Sequence, residues 1–142
     1  MKRVMIFGTF DILHPGHIFF LRQAKKYGDY LIVCLSRRDT VKKIKGHFPH
    51  HTEADRRMLL KAIKYADRVV FGSKKNYLYQ ILLQKPQIIV LGYDQKHYTQ
   101  GLKEKLAKRG LKVKIVRAKA YFPKVFKTSI LRGRRPRSKL SI

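Results

Sequence analysis

Acidic residues are what this chain has least of: eight Asp and Glu stand against 34 Lys and Arg, a net charge of +26 over 142 residues. The few carboxylates make no calcium-loop pattern. Cysteine occurs once, so no disulfide can close within the chain. Cys34 lies inside the apolar run Leu31-Ile32-Val33-Cys34-Leu35 and reads as a buried thiol in a reducing cytoplasm. Without a second cysteine or an H-E-x-x-H segment, zinc finds neither thiolates nor a helical ligand pair. His47, His50 and His51 fall in an aperiodic stretch, 46–51, that reads as an exposed loop. No apolar run nears the ~20 residues that span a bilayer. The first residues run straight into a strand pattern, so neither a membrane span nor a secretory leader is expected.

What is present suits one compact domain with a single core: 44% of the residues are hydrophobic, an ordinary globular fraction. The basic excess attracts polyanions. It is scattered along the chain, which reads as a general basic character rather than a dedicated nucleic-acid surface. Only Arg132-Gly133-Arg134-Arg135-Pro136-Arg137-Ser138-Lys139 is dense, and it has no apolar period. Residues 1–131 are therefore expected to form the domain, and 132–142 a flexible basic tail open to weak polyanion binding.

Strand and helix patterns alternate from the start. An apolar run over Val4–Phe7 precedes a helical spacing (Ile18, Leu21, Ala24) that begins at Gly16 or His17 and runs to about Tyr27, with Gly28 ending it. Tyr30–Leu35 is apolar throughout, as a strand covered on both faces would be. A lysine-rich polar passage, 36–46, follows. Thr52 and Asp55 signal a helix start before Leu59, Leu60 and Ile63. Arg68–Phe71 reads as a short strand, Asn76 as the cap of a helix through Leu83, and Gln87–Leu91 as a central strand. A helix over Gln100–Arg109 and a strand over Leu111–Val116 complete the pattern. This order predicts an α/β fold, a doubly wound Rossmann-like parallel sheet in a single domain, with ligands at the carboxyl edge of the strands.

The chemistry concentrates in Gly8-Thr9-Phe10-Asp11 and His14-Pro15-Gly16-His17, between the first strand and the first helix. A helix start carries backbone N–H groups and the positive end of the dipole, so it suits a phosphate. Two histidines three positions apart can both donate to one anion there, and a protonated ring would add charge.

G-T-F-D joined to H-x-G-H directly after a first strand resembles the HxGH nucleotidyltransferases, the cytidylyl- and adenylyltransferase superfamily. Asp39–Gly46, Phe71–Asn76 and Lys85–Gln95 make the chain similar, from about Lys2 to Ser129, to the archaeal-type FAD synthases within it. The resemblance implies transfer of AMP from ATP to FMN with release of pyrophosphate, catalysed by His14 and His17. Gly8, Thr9, Phe10, Lys45, Asp94, Lys127, Thr128 and Ser129 would bind the nucleotide, and Asp11, Lys43, Arg56 and Tyr93 the acceptor or its phosphate. Arg56 lies in Glu53-Ala54-Asp55-Arg56, similar to the family's E-x-x-R segment, and Lys43 and Lys45 can equally be read as solvated. Asp94 can be a ligand or simply a turn former. Lys127-Thr128-Ser129 departs from the family's hydroxyl-rich turn by a lysine. Phe122 stands where the glycerol-phosphate cytidylyltransferases carry arginine, and it or Tyr121 could stack with Tyr93 on a flat ring. The resemblance further implies Mg²⁺ carried by the nucleotide, no protein metal site, no tightly bound organic cofactor, a homodimer, and a cytoplasmic enzyme. Two other readings stand beside it: a CTP-dependent enzyme making CDP-glycerol, and a catalytically silent nucleotide- or nucleic-acid-binding module.

Overall fold

β1 (Arg3–Gly8) is the middle strand of the sheet, with β2 (Tyr30–Leu35) hydrogen-bonded on one side and β4 (Ile88–Leu91) on the other. The computed structural model describes residues 1–120. β3 (Arg68–Phe71) and β5 (Lys114–Arg117) form the edges, giving five parallel strands in the order β3-β2-β1-β4-β5. The central strands are apolar throughout because they face two cores. Val4 and Ile6 enter one with Leu31, Val33 and Val90, while Met5 enters the other with Ile32, Ile89 and Leu91.

Helices cover both faces. α1 (Pro15–Lys25) buries Leu21 and Ala24 in the first core, and α3 (Glu53–Lys61) adds Leu60. α4 (Tyr79–Gln84) buries Ile81 in the second, where α5 (Leu102–Lys108) adds Leu102 and Leu106. Each leucine or isoleucine among them contributes about 1.5–3 kcal/mol on leaving water. Thr52 Oγ1 accepts from Asp55 N–H at 3.1 Å, so the expected cap of α3 is present.

β2 and β3 fall on the expected residues, whereas one helix is new and several boundaries move, those of α4 and β5 among them. The lysine-rich passage contains a helix, α2 (Arg38–Lys45), hard to see in sequence because Val41 and Ile44 are its only apolar residues. Gly46 ends it at φ +82, with its N–H on Lys42 C=O. α4 starts at Tyr79 because Asn76 Oδ1 accepts from Leu78 N–H and closes a turn ahead of the helix. β5 starts later than expected: Leu111 N–H is still bonded to Leu106 C=O, and pairing with β4 begins at Lys114. The expected boundary at 131 lies outside the described residues. Among the described residues no helix is long and apolar enough to cross a membrane.

The chain winds outward from β1 through β2 to β3, then crosses to β4 on the other side. The strand order thus reverses between β1 and β4, and the crevice at their carboxyl ends is where this fold class binds ligands.

Candidate active site

Gly8 ends β1 at a point where a Cβ would lie 2.6 Å from the ring of Phe10. Only glycine lets the chain fold back so tightly. Phe10 has φ +48, unusual for a bulky residue, and its ring is buried, packing 5.3 Å from the ring of His17 and 6.3 Å from that of Phe20. Phe10, expected to contact nucleotide, is mainly the apolar bed on which His17 rests.

His14 is the N-cap of α1, its Nδ1 accepting from Gly16 N–H at 3.1 Å. An accepting Nδ1 leaves the neutral ring's proton on Nε2. His14 and His17 stack with centroids 3.9 Å apart. Burial pushes His14 down to about 4. Burial, then the charges of His14 and Lys45, push His17 to about 3, against smaller pulls from Asp11 and the Ile12 backbone. The pair is therefore neutral near pH 7 and offers N–H donors, where the sequence left open a protonated ring. The N–H groups of Gly16, His17 and Ile18 all turn to His14, so imidazoles take the place of the expected open amides. No acidic residue sits in the first turn to offset the helix dipole.

These rings open onto a cleft of about 700 Å³, which Gly8, Thr9, Phe10, Asp11, Lys45, Tyr93 and Asp94 also line. The helix α2 explains which lysine is there. Val41, Ile44 and Lys45 share the helix face turned to the cleft, and Lys43 faces away, exposed. Lys43, expected as an acceptor or phosphate ligand, is thus not among the residues that line the cleft.

Two further expectations change. Asp11 is buried at the cleft wall, but its carboxylate accepts from His50 N–H at 2.6 Å and His51 N–H at 2.8 Å. It anchors the 46–51 loop, and a carboxylate would repel a phosphate. Arg56 does not line the cleft. It is fully buried, with Nη1 donating to Thr9 C=O at 3.1 Å and Ser36 C=O at 2.8 Å, which ties the ends of β1 and β2 together. Its Nε and Nη2 have no hydrogen-bond partner among the described residues. Glu53, the other end of E-x-x-R, accepts from Arg38 N–H at 2.7 Å and so holds the start of α2. The segment is a clasp behind the site.

The loop after β4 is pinned by a residue whose role the sequence did not disclose. Gln95 Oε1 accepts from Gly92 N–H at 2.6 Å while its Nε2 donates to Phe7 C=O at 2.7 Å. Arg117 Nη1 donates to Gly92 and Gln95 carbonyls, both at 2.8 Å. Together they hold Tyr93 and Asp94 at the cleft. Tyr77 and Tyr98, also unmarked in sequence, line it as a stacked pair. Tyr121, Phe122, Lys127, Thr128 and Ser129 lie outside the described residues. Among those described, no group of three or more His, Cys, Asp or Glu could hold a metal ion.

A family model described as Cytidylyltransferase-like matches residues 5–134. The chain is 48% identical to an FAD synthase of Aciduliprofundum boonei over 121 residues, covering 85% of this chain and 80% of that protein. It is 47% identical to an FAD synthase of Pyrococcus abyssi over 116 residues, covering 81% and 78%. Among solved structures, a lipopolysaccharide core biosynthesis protein of Thermoplasma volcanium matches with a TM-score of 0.81 and 42% identity, covering 85% of this chain and 98% of that one. A pantothenate synthetase of Thermus thermophilus shares the fold alone, with a TM-score of 0.57 and 16% identity, covering 83% of this chain and 55% of that one.

Proposed function

The chain belongs to the cytidylyltransferase-like family, and from that premise we propose that it is an FAD synthase, moving AMP from ATP to FMN. A phosphate oxygen of FMN attacks the α-phosphorus of ATP, the bond from that phosphorus to the bridging oxygen breaks, and pyrophosphate leaves. The attacking group is already an anion, so no general base is required. The observation that carries the reading is the neutral, stacked His14–His17 pair at the start of α1, in the crevice between β1 and β4.

Nε2–H of His14 and an N–H of His17 donate to oxygens of the α-phosphate and the leaving group, where negative charge grows. Donors fixed in advance in a dry site stabilise that charge without reorganising, and one such donor is worth about 10²–10³ in rate. Lys45 adds a cation on the α2 side. Lys127, Thr128 and Ser129 hold the rest of the triphosphate, a role that rests on the family resemblance. Mg²⁺ comes with the nucleotide, as its preference for water and phosphate oxygens favours. The carboxylates that line the cleft fit this, Asp11 held by two backbone amides and Asp94 in the loop after β4, since such groups would meet the ion through its water shell. When bound, the ion neutralises charge on the phosphates.

The same reading takes 1–131 as the catalytic domain of a cytoplasmic homodimer. The 132–142 tail, with five cations and no acidic residue, is taken as dispensable for turnover and weakly attracted to polyanions. The purified protein, given FMN or glycerol 3-phosphate with ATP or CTP and Mg²⁺, should yield FAD by mass, and only with ATP. CDP-glycerol with no FAD under any condition would move the protein to the cytidylyltransferase branch, and no pyrophosphate from any pair would make it a binding module.

A further inference from the structure

Tyr98 is held at φ +62, a backbone conformation that bulky side chains rarely adopt. Its ring stacks on Tyr77 at 4.7 Å and 24°, yet Tyr98 remains 47% exposed and lines the cleft. Tyr77 is fixed in turn: it packs on the second core, and Lys105 Nζ donates to its hydroxyl at 3.0 Å. A flat aromatic surface is thus built at the cleft wall and secured from behind, with Tyr98 in a backbone conformation that carries a cost.

We infer that the Tyr77–Tyr98 pair is the platform for the acceptor's flavin ring, with Tyr98 as the contacting ring and Lys105 and Tyr77 as positioning residues. This rests on the reading of the chain as an FAD synthase. Direction decides between the two flat rings in the reaction. The entering oxygen and the departing pyrophosphate lie on opposite sides of the α-phosphorus. The histidines that receive the leaving group open α1, which covers the first core, whereas Tyr77 packs against the second core on the other face of the sheet. The acceptor therefore enters over the tyrosines. Chemistry agrees, since the flavin has an apolar dimethylbenzenoid edge suited to Val41 and Ile44 in the same cleft, and adenine has no such edge.

Tyr98→Gly removes the ring while accepting the left-handed backbone, so the loop should keep its shape; Tyr98→Phe keeps the ring. Two readouts are needed: KM for FMN and for ATP, and quenching of FMN fluorescence on binding without ATP. The glycine variant should raise KM for FMN about tenfold or more, in line with loss of one stacked aromatic. It should also weaken quenching and leave KM for ATP and kcat nearly unchanged, with the phenylalanine variant near wild type. An unchanged KM for FMN, or a rise confined to ATP, would overturn the assignment. The proposed function fails separately, if the wild type makes no FAD; the flavin platform then stands or falls on whether the glycine variant loses quenching that the wild type shows.

Discussion

In the proposed reaction His17 works through its neutrality. Buried against Phe10 and stacked on His14, it resists protonation and remains a donor aimed at the cleft. His17→Ala should lower kcat by about 10²-fold or more while the circular dichroism spectrum stays native. The same variant should change the acid response. A histidine whose folded pKa is depressed contributes stability above its unfolded value near 6.5, and that contribution is lost as pH falls toward about 3, because the unfolded chain takes up the proton the native site refuses. The wild type should therefore lose stability across that window, and His17→Ala should lose less. A near-normal rate, or an identical pH dependence of melting, would remove His17 from its role. The candidacy of this residue was legible in the sequence, because G-T-F-D joined to H-x-G-H directly after a first strand singles it out. Its charge state was not, since that depends on burial and on a ring three positions away.

At the scale of elements, the site is a set of strand ends kept in register by side-chain to backbone hydrogen bonds. Arg56, from α3, joins the loops after β1 and β2; Gln95 joins β4 to β1; Glu53 holds the start of α2. Arg56→Met should leave two carbonyls without their donor and cost about 3 kcal/mol. Activity should fall through kcat, with KM for ATP changed little, and a denaturant midpoint alongside steady-state rates would check both. Normal stability with a large rise in KM for ATP would return Arg56 to the ligand shell. That Arg56 is fully buried was not legible in E-x-x-R, because position in sequence does not reveal depth. The split between Lys43 and Lys45 was hidden for a related reason: with two apolar residues in eight, α2 has too little periodicity to reveal its faces.

Across the whole molecule, the strand order places the active crevice. Nothing near His14 in sequence points to Tyr93 or Asp94, but a parallel sheet that reverses at β1 brings the end of β4 beside it. That much followed from the alternation of strand and helix, since right-handed crossovers leave few arrangements. The aromatic pair did not, because Tyr77 and Tyr98 belong to different loops and meet only through tertiary packing. With eight carboxylate side chains for 34 cations, the basic excess has little internal compensation. The central claim is transfer of the α-phosphoryl group with its adenosine to FMN, and ATP labelled separately at the α- and γ-phosphorus tests it most directly. Label from the α position should appear in FAD and label from the γ position in pyrophosphate, both disappearing with His17→Ala. Label from the γ position in the flavin product, or none in flavin from either, would contradict the account.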